Sequence, residues 1–181
     1  MAKKKVETIS EIINRRRYQA LDRMGYISLL LRIVVLVLAA WVLMTKIFLV
    51  GQVSGNAMFP SIKDGDVIIG YRLQSDYVKN DCVVFTIEGK THVGRVVARQ
   101  YDVVTLDDSG KLYVNGAVQE GEIIYPTYAK ENVSYPCTLL EGELFVLGDY
   151  RTQAEDSRDF GPVLMSEVEG KIITILRRRG L

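Results

Sequence analysis

One long apolar stretch lies near the start of the chain. It runs from Ile27 to Thr45 and carries Arg32 as its one charge. A helix needs roughly 20 predominantly apolar residues to cross the hydrocarbon core of a bilayer, and a helix in the core of a soluble protein rarely stays apolar on every side for that long. The stretch therefore predicts a transmembrane helix over 27–45, with Arg32 extending toward the lipid headgroups.

Basic residues are distributed unevenly on the two sides of this stretch. Two follow it before Asp66, and seven precede it: Lys3, Lys4, Lys5, Arg15, Arg16, Arg17 and Arg23. Because cytoplasmic flanks carry the excess of Lys and Arg, segment 1–26 is predicted to be cytoplasmic and segment 46–181 extracytoplasmic at the cell membrane. The alternative, a cleaved signal peptide, has a shorter apolar region of roughly 7–15 residues and a small-residue cleavage site. An uncleaved single-pass anchor is therefore favoured.

After the anchor, the chain changes to short runs rich in Val and Ile that are separated by turn residues. This pattern is typical of an antiparallel all-β domain, and the segment VTLDDSGKLYVNG predicts a hairpin with Asp-Ser-Gly at its turn. The predicted fold class is therefore mainly β, with a single N-terminal transmembrane helix. The predicted strands lie in DVIIGYRL, DCVVFTIE, THVGRVVAR, DVVTLD, ELFVLGD and EGKIITILRRR.

Composition excludes several kinds of partner. The formal net charge is +1, which gives no indication of a nucleic-acid partner. One His and two distant Cys residues do not form a metal site, so no metal and no cofactor is expected. Cys82 and Cys137 are predicted to be unpaired, packed thiols, although an extracytoplasmic domain would permit a disulfide bond.

Three segments carry a resemblance to a known family. They are SGNAMFPSIKDGD from Ser54, THVGRVVA from Thr91, and GDYRTQAEDSRDFGPV from Gly148. In this order, behind a membrane anchor, they resemble the nucleophile, general-base and late boxes of the type I signal peptidases. The resemblance implies a signal-peptidase-like β domain over 46–181. It also implies the chemistry of a Ser-Lys dyad, in which a lysine amine takes the proton of the attacking serine hydroxyl.

The residues at the dyad positions differ from those of the family. The resemblance places the nucleophile at Ala57, the general base at Gly94, and a serine that orients the base at Ala154. A methyl group and a hydrogen atom cannot perform these roles, so the chain is predicted not to be an enzyme, but a pseudoenzyme of the family. Changes in three separate segments favour a natural pseudoenzyme over a single engineered replacement.

Neighbouring residues are not expected to replace the dyad. His92 lies two residues before Gly94 on the same face of a strand, and Ser54 and Ser61 are displaced from position 57. Because a small displacement of a reacting atom slows a reaction strongly, these three are predicted to be ordinary strand and loop residues.

The late box keeps its charged residues. The resemblance implies that Arg95 pairs with Asp149 and that Asp156 pairs with Arg158, with Arg151 and Ser157 in the same frame. Paired charges under a loop are costly to break one at a time. These residues are therefore predicted to brace the fold, with no part in catalysis.

A cleft for binding is expected to remain. Peptidase folds bind their substrates as strands added to a sheet edge, and the residues predicted to bind a peptide or partner are Ser54, Gly55, Met58, Pro60 and Gly94. Gly94 is expected to leave a void where a lysine stem would pack, and this void either admits a side chain of a partner or is filled by neighbours such as Met58.

The resemblance narrows to the signal-peptidase-like accessory proteins of Gram-positive pilus loci. It implies a binding or chaperone role in pilus assembly, with pilin precursors and a sortase as partners. The sequence gives no indication of the oligomeric state. The alternative is an active type I signal peptidase that cleaves the signal peptides of exported preproteins.

Overall fold

The computed structural model describes residues 9–119 and 125–177. The chain divides into two compact units between Thr45 and Lys46. The first is an apolar helix, and the second is a domain built mainly of β-strands with one short α-helix. The predicted fold class, an N-terminal helix followed by a β domain, is confirmed.

The first unit contains helix α1, Ile9–Ile47. It extends beyond the predicted 27–45 in both directions, because residues 9–24 contain neither Gly nor Pro to end a helix. The part from Arg16 to Ile47 is long and apolar enough to cross a membrane by length and composition. Its large apolar side chains, from Ile27 to Met44, are exposed in the unit itself, which suits a lipid environment.

The second unit contains eleven strands in the described residues, and all of the pairs they form are antiparallel. A seven-stranded sheet has the order β1-β2-β11-β3-β4-β9-β10, and a four-stranded sheet has the order β7-β6-β5-β8. The helix α2 spans Ser157–Phe160, and a short 3₁₀ helix spans Met165–Glu167. The strands are β1 Phe48–Gln52, β2 Val67–Tyr71, β3 Cys82–Ile87, β4 Lys90–Arg99, β5 Val103–Leu106, β6 Leu112–Val114, β7 Ala117–Val118, β8 Cys137–Thr138, β9 Glu143–Leu147, β10 Val163–Leu164 and β11 Val168–Leu176.

Each of the six predicted strand segments contains a strand, and the predicted hairpin is formed by β5 and β6. The sequence did not indicate β1, because its apolar residues continue the apolar pattern of α1 without a break. Strands β7, β8 and β10 have two residues each, which is too short for a period-2 pattern. Cys82 and Cys137 are free, half-buried thiols in this structure.

The large sheet buries apolar clusters on both faces. Successive side chains of a strand point to opposite faces, so Val84 of β3 packs with Met58 and Ile68, while Val83 and Phe85 pack in a second cluster. A third cluster lies against the small sheet and includes Phe145 and Leu147 of β9. Strand β9 thus contributes fully buried side chains to two clusters and forms the centre of the domain.

Gly94 lies on β4 where the strand packs closely against β9. A Cβ atom at this position would lie 2.5 Å from Cγ1 of Val146 and 3.4 Å from Cε1 of Phe85. Of the two alternatives for the space beside Gly94, the structure shows the filled one. Val146 and Phe85, which the sequence did not indicate, occupy the space that a side chain at this position would need.

This packing predicts the effect of adding one methyl group to the core. We expect Gly94→Ala to destabilise the domain by about 1–3 kcal/mol, because overpacking displaces neighbouring side chains. Gly51→Ala is the matched control, since its nearest neighbour, Cγ1 of Ile68, would lie 4.0 Å from the new Cβ. The measurement is the free energy of unfolding of the full chain in detergent.

The same measurement in a Val146→Ala background isolates the contact. In that background Gly94→Ala should lower the free energy of unfolding by less than it does in the wild type, because the opposing methyl group of Val146 has been removed. Equal losses for Gly94→Ala in both backgrounds, or equal losses at positions 51 and 94, would contradict this packing.

Candidate functional site

A cleft of about 360 Å³ opens on one face of the large sheet. Its floor is apolar and comes from β1 to β4 and the loop between β1 and β2, whereas its rim is polar. Pockets that bind ligands commonly combine an apolar lining with a few polar groups. The floor consists of Leu49, Val53, Met58, Ile68, Val84 and Val93, and the rim includes Gln52, Ser54, Arg72, Thr91, His92 and Glu169.

The loop of residues 53–66 forms one wall of the cleft. Its ends are joined by hydrogen bonds from the Val53 amide to the Asp66 carbonyl at 2.8 Å and from the Gly65 amide to the Val53 carbonyl at 2.9 Å. Gly55 has a φ of 89° and donates its amide to Oδ1 of Asp64 at 2.7 Å. Side chains rarely tolerate this φ, so glycine at position 55 permits the tight path of the loop.

The residues predicted to bind a partner have different positions relative to this cleft. Ser54 lies on its rim, and Met58 lies in its floor with 1% of its surface exposed. Gly55 and Pro60 shape the loop without lining the cleft. Gly94 is buried behind the floor, against Val146.

The three positions that the resemblance assigns to the dyad and its orienting serine converge on the end of β9. The Ala57 carbonyl accepts a hydrogen bond from the Tyr150 amide at 3.0 Å. A Cβ at Gly148 would lie 2.6 Å from that carbonyl and would overlap Cβ of Ala154. Gly94 packs against the preceding residues of β9. Residues far apart in sequence are therefore brought together here, with Ala57 on the wall of the cleft and Ala154 buried.

Both ion pairs implied by the resemblance are present. Arg95 donates from Nε to Oδ1 of Asp149 at 2.8 Å and from Nη2 to Oδ2 at 2.6 Å. The hydrogen bonds to Asp149 raise the pKa of Arg95 above its ordinary value. The same guanidinium reaches the Asn80 carbonyl at 3.1 Å and the Ser61 hydroxyl at 3.4 Å. Ser61 therefore belongs to this pair and does not line the cleft.

The second pair, between Asp156 and Arg158, is almost completely buried, with 2% of each side chain exposed. Arg158 donates from Nε and Nη2 to the two carboxylate oxygens at 2.9 and 2.8 Å, and from Nη2 to the Arg151 carbonyl at 2.6 Å. Asp156 also caps α2 and accepts from the Gly148 amide at 3.1 Å. Ser157 accepts from the amide of β9 residue Val146 at 2.9 Å.

Arg151 completes this frame. Its side chain is buried and donates from Nη1 to Oγ1 of Thr127 at 2.8 Å. Burial lowers the pKa of Arg151 to about 10, so it remains charged at neutral pH. Arg95, Asp149, Arg151 and the Asp156–Arg158 segment lie outside the cleft lining. These contacts favour the predicted bracing role.

His92 borders the cleft and also packs in an aromatic group. Its ring stacks on Phe85, with centroids 5.5 Å apart and planes 20° apart, and it lies 5.5 Å from the ring of Phe160. Burial lowers the pKa of His92 below its ordinary value of 6.5. The charges that act on it are Glu155 and Asp159, which raise its pKa, and Lys90, which lowers it. At neutral pH the imidazole is therefore uncharged.

Four polar residues of the rim were not predicted: Gln52, Arg72, Thr91 and Glu169. Thr91 begins the segment THVGRVVA but was given no role, no motif pointed to the other three, and only the fold brings them to one cleft. The signal in the sequence was a charged residue, Glu169, at the beginning of an apolar strand segment. A charged residue at the beginning of a strand does not reveal which face of the sheet its side chain will lie on.

The lowered pKa of His92 predicts a pH dependence of stability. The unfolded chain binds a proton more readily than the folded domain, so stability is lost as pH falls from 6.5 through the lower folded pKa. We expect His92→Gln to lose less stability than the wild type between about pH 8 and pH 5. Thermal unfolding across this pH range measures the difference between the two proteins. The contributions of the carboxylates cancel in this comparison, because the same carboxylates titrate in both proteins. Identical pH profiles would contradict the lowered pKa of this half-buried imidazole.

The known proteins to which this chain is similar include several peptidases. The chain is 27% identical over 141 residues to thylakoidal processing peptidase 1 of Arabidopsis thaliana, covering 67% of this chain and 40% of that protein. It is 29% identical over 136 residues to signal peptidase I of Bacillus caldolyticus, covering 66% and 74%. It is 28% identical over 153 residues to signal peptidase IB of Staphylococcus aureus, covering 70% and 80%.

The lengths of these proteins differ from that of the present chain. The chain spans 40% and 36% of the two thylakoidal processing peptidases that it matches. A crystal structure of a signal peptidase I from Enterococcus faecalis V583 aligns with 55% of this chain and 98% of that chain, at 28% identity and a TM-score of 0.44.

These findings contradict one prediction. The residues Ala57, Gly94 and Ala154 led us to predict that the chain is not an enzyme, whereas the relatives are named as processing and signal peptidases. The prediction is wrong on this finding. It took three side chains as decisive for the whole protein, although other hydroxyl and imidazole groups line the same cleft.

The match extends over nearly the whole described chain. A family model described as signal peptidase, peptidase S26, matches residues 26–176, which include most of the apolar helix and all eleven strands. The chain therefore belongs to the signal peptidase family, peptidase S26.

Proposed function

We propose that this chain is a membrane-anchored signal peptidase family protein whose cleft binds an extended segment of an exported protein during pilus assembly. Its proposed clients are pilin precursors, and a sortase is its proposed second partner. The observation that carries the proposal is the apolar cleft beside β1. The choice of pilin precursors and a sortase rests on the resemblance of the three sequence segments to pilus-locus accessory proteins.

Strand β1 offers an edge for a bound peptide. Among the described strands, β1 pairs with β2 alone, so its other backbone edge is open. Five consecutive residues, Leu49–Val53, border the cleft. Because alternate side chains point to opposite faces, this continuous lining indicates that the backbone edge itself faces the cleft. An extended segment can add to such an edge through main-chain hydrogen bonds, with its side chains in the apolar floor.

The anchor restricts the clients that we propose. Strand β1 begins at Phe48, the residue after α1 ends, so the chain tethers the β domain directly to the apolar span. A client held in the same bilayer would share one membrane surface with the tethered domain, which raises the local concentration of each for the other. With more basic residues before the span than after it, the proposed orientation has a cytoplasmic N-terminus and an extracytoplasmic β domain.

A second function, cleavage of signal peptides from exported preproteins, is favoured by the names of the relatives. In this chain the cleft presents the hydroxyls of Ser54 and Thr91 and the neutral imidazole of His92. A hydroxyl as nucleophile and an imidazole as general base are the types of group that peptide hydrolysis needs. Both functions require the same bound segment, so one experiment measures both.

Blocking the cleft should abolish binding. Met58 is unsuitable for this test because its side chain is buried in the core. Ser54→Arg and Thr91→Arg instead place long charged side chains on the exposed rim. We expect each to weaken binding of a fluorescent peptide from a pilin precursor at least about tenfold, because a charge must be desolvated against the incoming apolar side chains. Leu140→Arg, an exposed position outside the cleft, is the control.

The measurements are fluorescence anisotropy with the full chain in nanodiscs, and mass spectrometry of the same peptide after incubation. Wild-type binding of an intact peptide supports the binding role, whereas a defined cut that the rim variants abolish supports the cleavage role. In cells, the rim variants should reduce the pilin polymers seen on an immunoblot. Rim variants that bind the peptide and assemble pili like the wild type would refute the proposed site.

The proposed orientation is tested by protease added to cells whose wall has been removed. We expect digestion of segment 46–181 and protection of an epitope tag at the N-terminus, because the excess of basic residues retains that end in the cytoplasm. Detergent-permeabilised cells, in which both ends are digested, are the control. A protected β domain in intact cells would reverse the orientation.

A further inference from the structure

Glu169 occupies an irregular position in strand β11. Against β3, Val168 is paired with Phe85 and Gly170 with Val84, so Glu169 is an extra residue without a partner in the register. A bulge of this kind bends the strand and redirects one side chain, and bulges occur often next to functional sites. Here the redirected carboxylate lies on the rim of the cleft.

Gly170 allows this bulge to lie close to the end of β2. A Cβ at Gly170 would lie 2.8 Å from the Tyr71 carbonyl oxygen and 3.4 Å from Cα of Arg72. Since backbone atoms cannot move aside easily, only glycine permits this approach. The bulge and the glycine together bring Glu169 next to Arg72.

The carboxylate of Glu169 is held at both oxygens. Thr86 on β3 donates its hydroxyl to Oε1 at 2.6 Å, and Arg72 donates from Nη1 to Oε2 at 3.5 Å. The first hydrogen bond is short and the second is long. Thr86 therefore fixes the carboxylate, and the carboxylate restrains the guanidinium more loosely.

Arg72 retains most of its capacity to donate hydrogen bonds. A guanidinium has five N–H donors, and in residues 9–119 and 125–177 the Arg72 side chain bonds to Glu169 alone. Its side chain is 37% exposed and borders the cleft. Among the described residues that line the cleft, Arg72 and Glu169 are the two with acidic or basic side chains besides His92. A charge on a bound segment would thus meet an opposite charge at this pair.

We infer that Arg72 is a specificity residue of the cleft, which binds the side-chain carboxylate of an Asp or Glu in the extended segment, with Glu169 and Thr86 as positioning residues. The inference rests on the proposed peptide-binding function and adds the chemistry of its ligand. An acidic partner fits better than a basic one, because both oxygens of Glu169 already accept hydrogen bonds while most donors of Arg72 are free. The planar guanidinium matches a carboxylate with two parallel hydrogen bonds.

The test uses a series of acetylated and amidated apolar decapeptides in which one residue is Glu, Gln or Lys at each position in turn. Binding is measured by fluorescence anisotropy with the full chain in nanodiscs. At one position we expect the Glu peptide to bind about tenfold more tightly than the Gln peptide, as for a charge-assisted hydrogen bond. The Lys peptide at that position should bind more weakly than the Gln peptide.

Variants assign the preference to Arg72. Arg72→Gln should remove the preference, so that the Glu and Gln peptides bind this variant with equal affinity, and Arg72→Glu should shift the preference to Lys. Arg99→Gln, an exposed basic residue outside the cleft, is the matched control. Thermal unfolding of each variant verifies that the domain is folded.

The positioning role has its own readout. Thr86→Val should reduce the preference for Glu by weakening binding of the Glu peptide more than binding of the Gln peptide, and Thr86→Ser, which keeps the hydroxyl, should retain the preference. A structural role alone would change the affinities for both peptides together. Full preference in Thr86→Val would refute this part of the inference.

The outcomes separate this inference from the function on which it rests. Gln peptides that bind the wild type but lose affinity in Ser54→Arg, without any preference for Glu, would overturn the role of Arg72 and leave the peptide-binding function intact. A preference for Lys that Glu169→Gln removes would also overturn it, since Glu169 would then be the specificity residue. Failure of every peptide to bind would overturn both proposals.

Discussion

The buried ion pair between Asp156 and Arg158 holds the part of the domain from which the cleft is built. Removing one member of such a pair leaves an uncompensated charge in the interior and costs about 3–5 kcal/mol. The pair also binds the Gly148 amide and the Arg151 carbonyl, so it fixes the backbone that follows β9. That backbone in turn donates from Tyr150 to the carbonyl of Ala57 in the cleft loop. The position of the cleft wall therefore depends on charges that never face the cleft.

Strand β4 contributes both to the cleft and to the ion-paired segment that follows β9, because its alternate side chains point in opposite directions. Val93 packs in the floor of the cleft with Val84, whereas Gly94 faces Val146 and Phe85 on the other side. The next residue, Arg95, holds Asp149 and thereby the segment after β9. Three consecutive residues thus supply the floor, the packing against β9 and the ion pair. The backbone of one strand therefore sets the spacing of these three contacts.

The sequence predicted features that depend on short-range patterns or on charged pairs within recognisable segments. The strands of the large sheet and the pairs Arg95–Asp149 and Asp156–Arg158 were found in this way. The side chains that fill the space at Gly94 were missed, because Val146 and Phe85 lie on other strands. Activity was also misjudged, since three residues of a motif were taken to decide the chemistry of a chain that matches a peptidase family over 26–176. The bulge at Glu169 has no local signature, because it is defined by pairing with β3.

The cleft combines two kinds of interaction that contribute differently to recognition. Its apolar floor favours burial of apolar side chains in proportion to their area, and it discriminates little between segments of similar size. Main-chain hydrogen bonds along β1 would be equally indifferent to sequence. Discrimination must therefore come from groups whose burial is costly unless they are matched, and a charge on the rim of an apolar cleft is such a group. Arg72 and Glu169 meet this requirement, because a bulge and a glycine place both of them on the rim of the cleft.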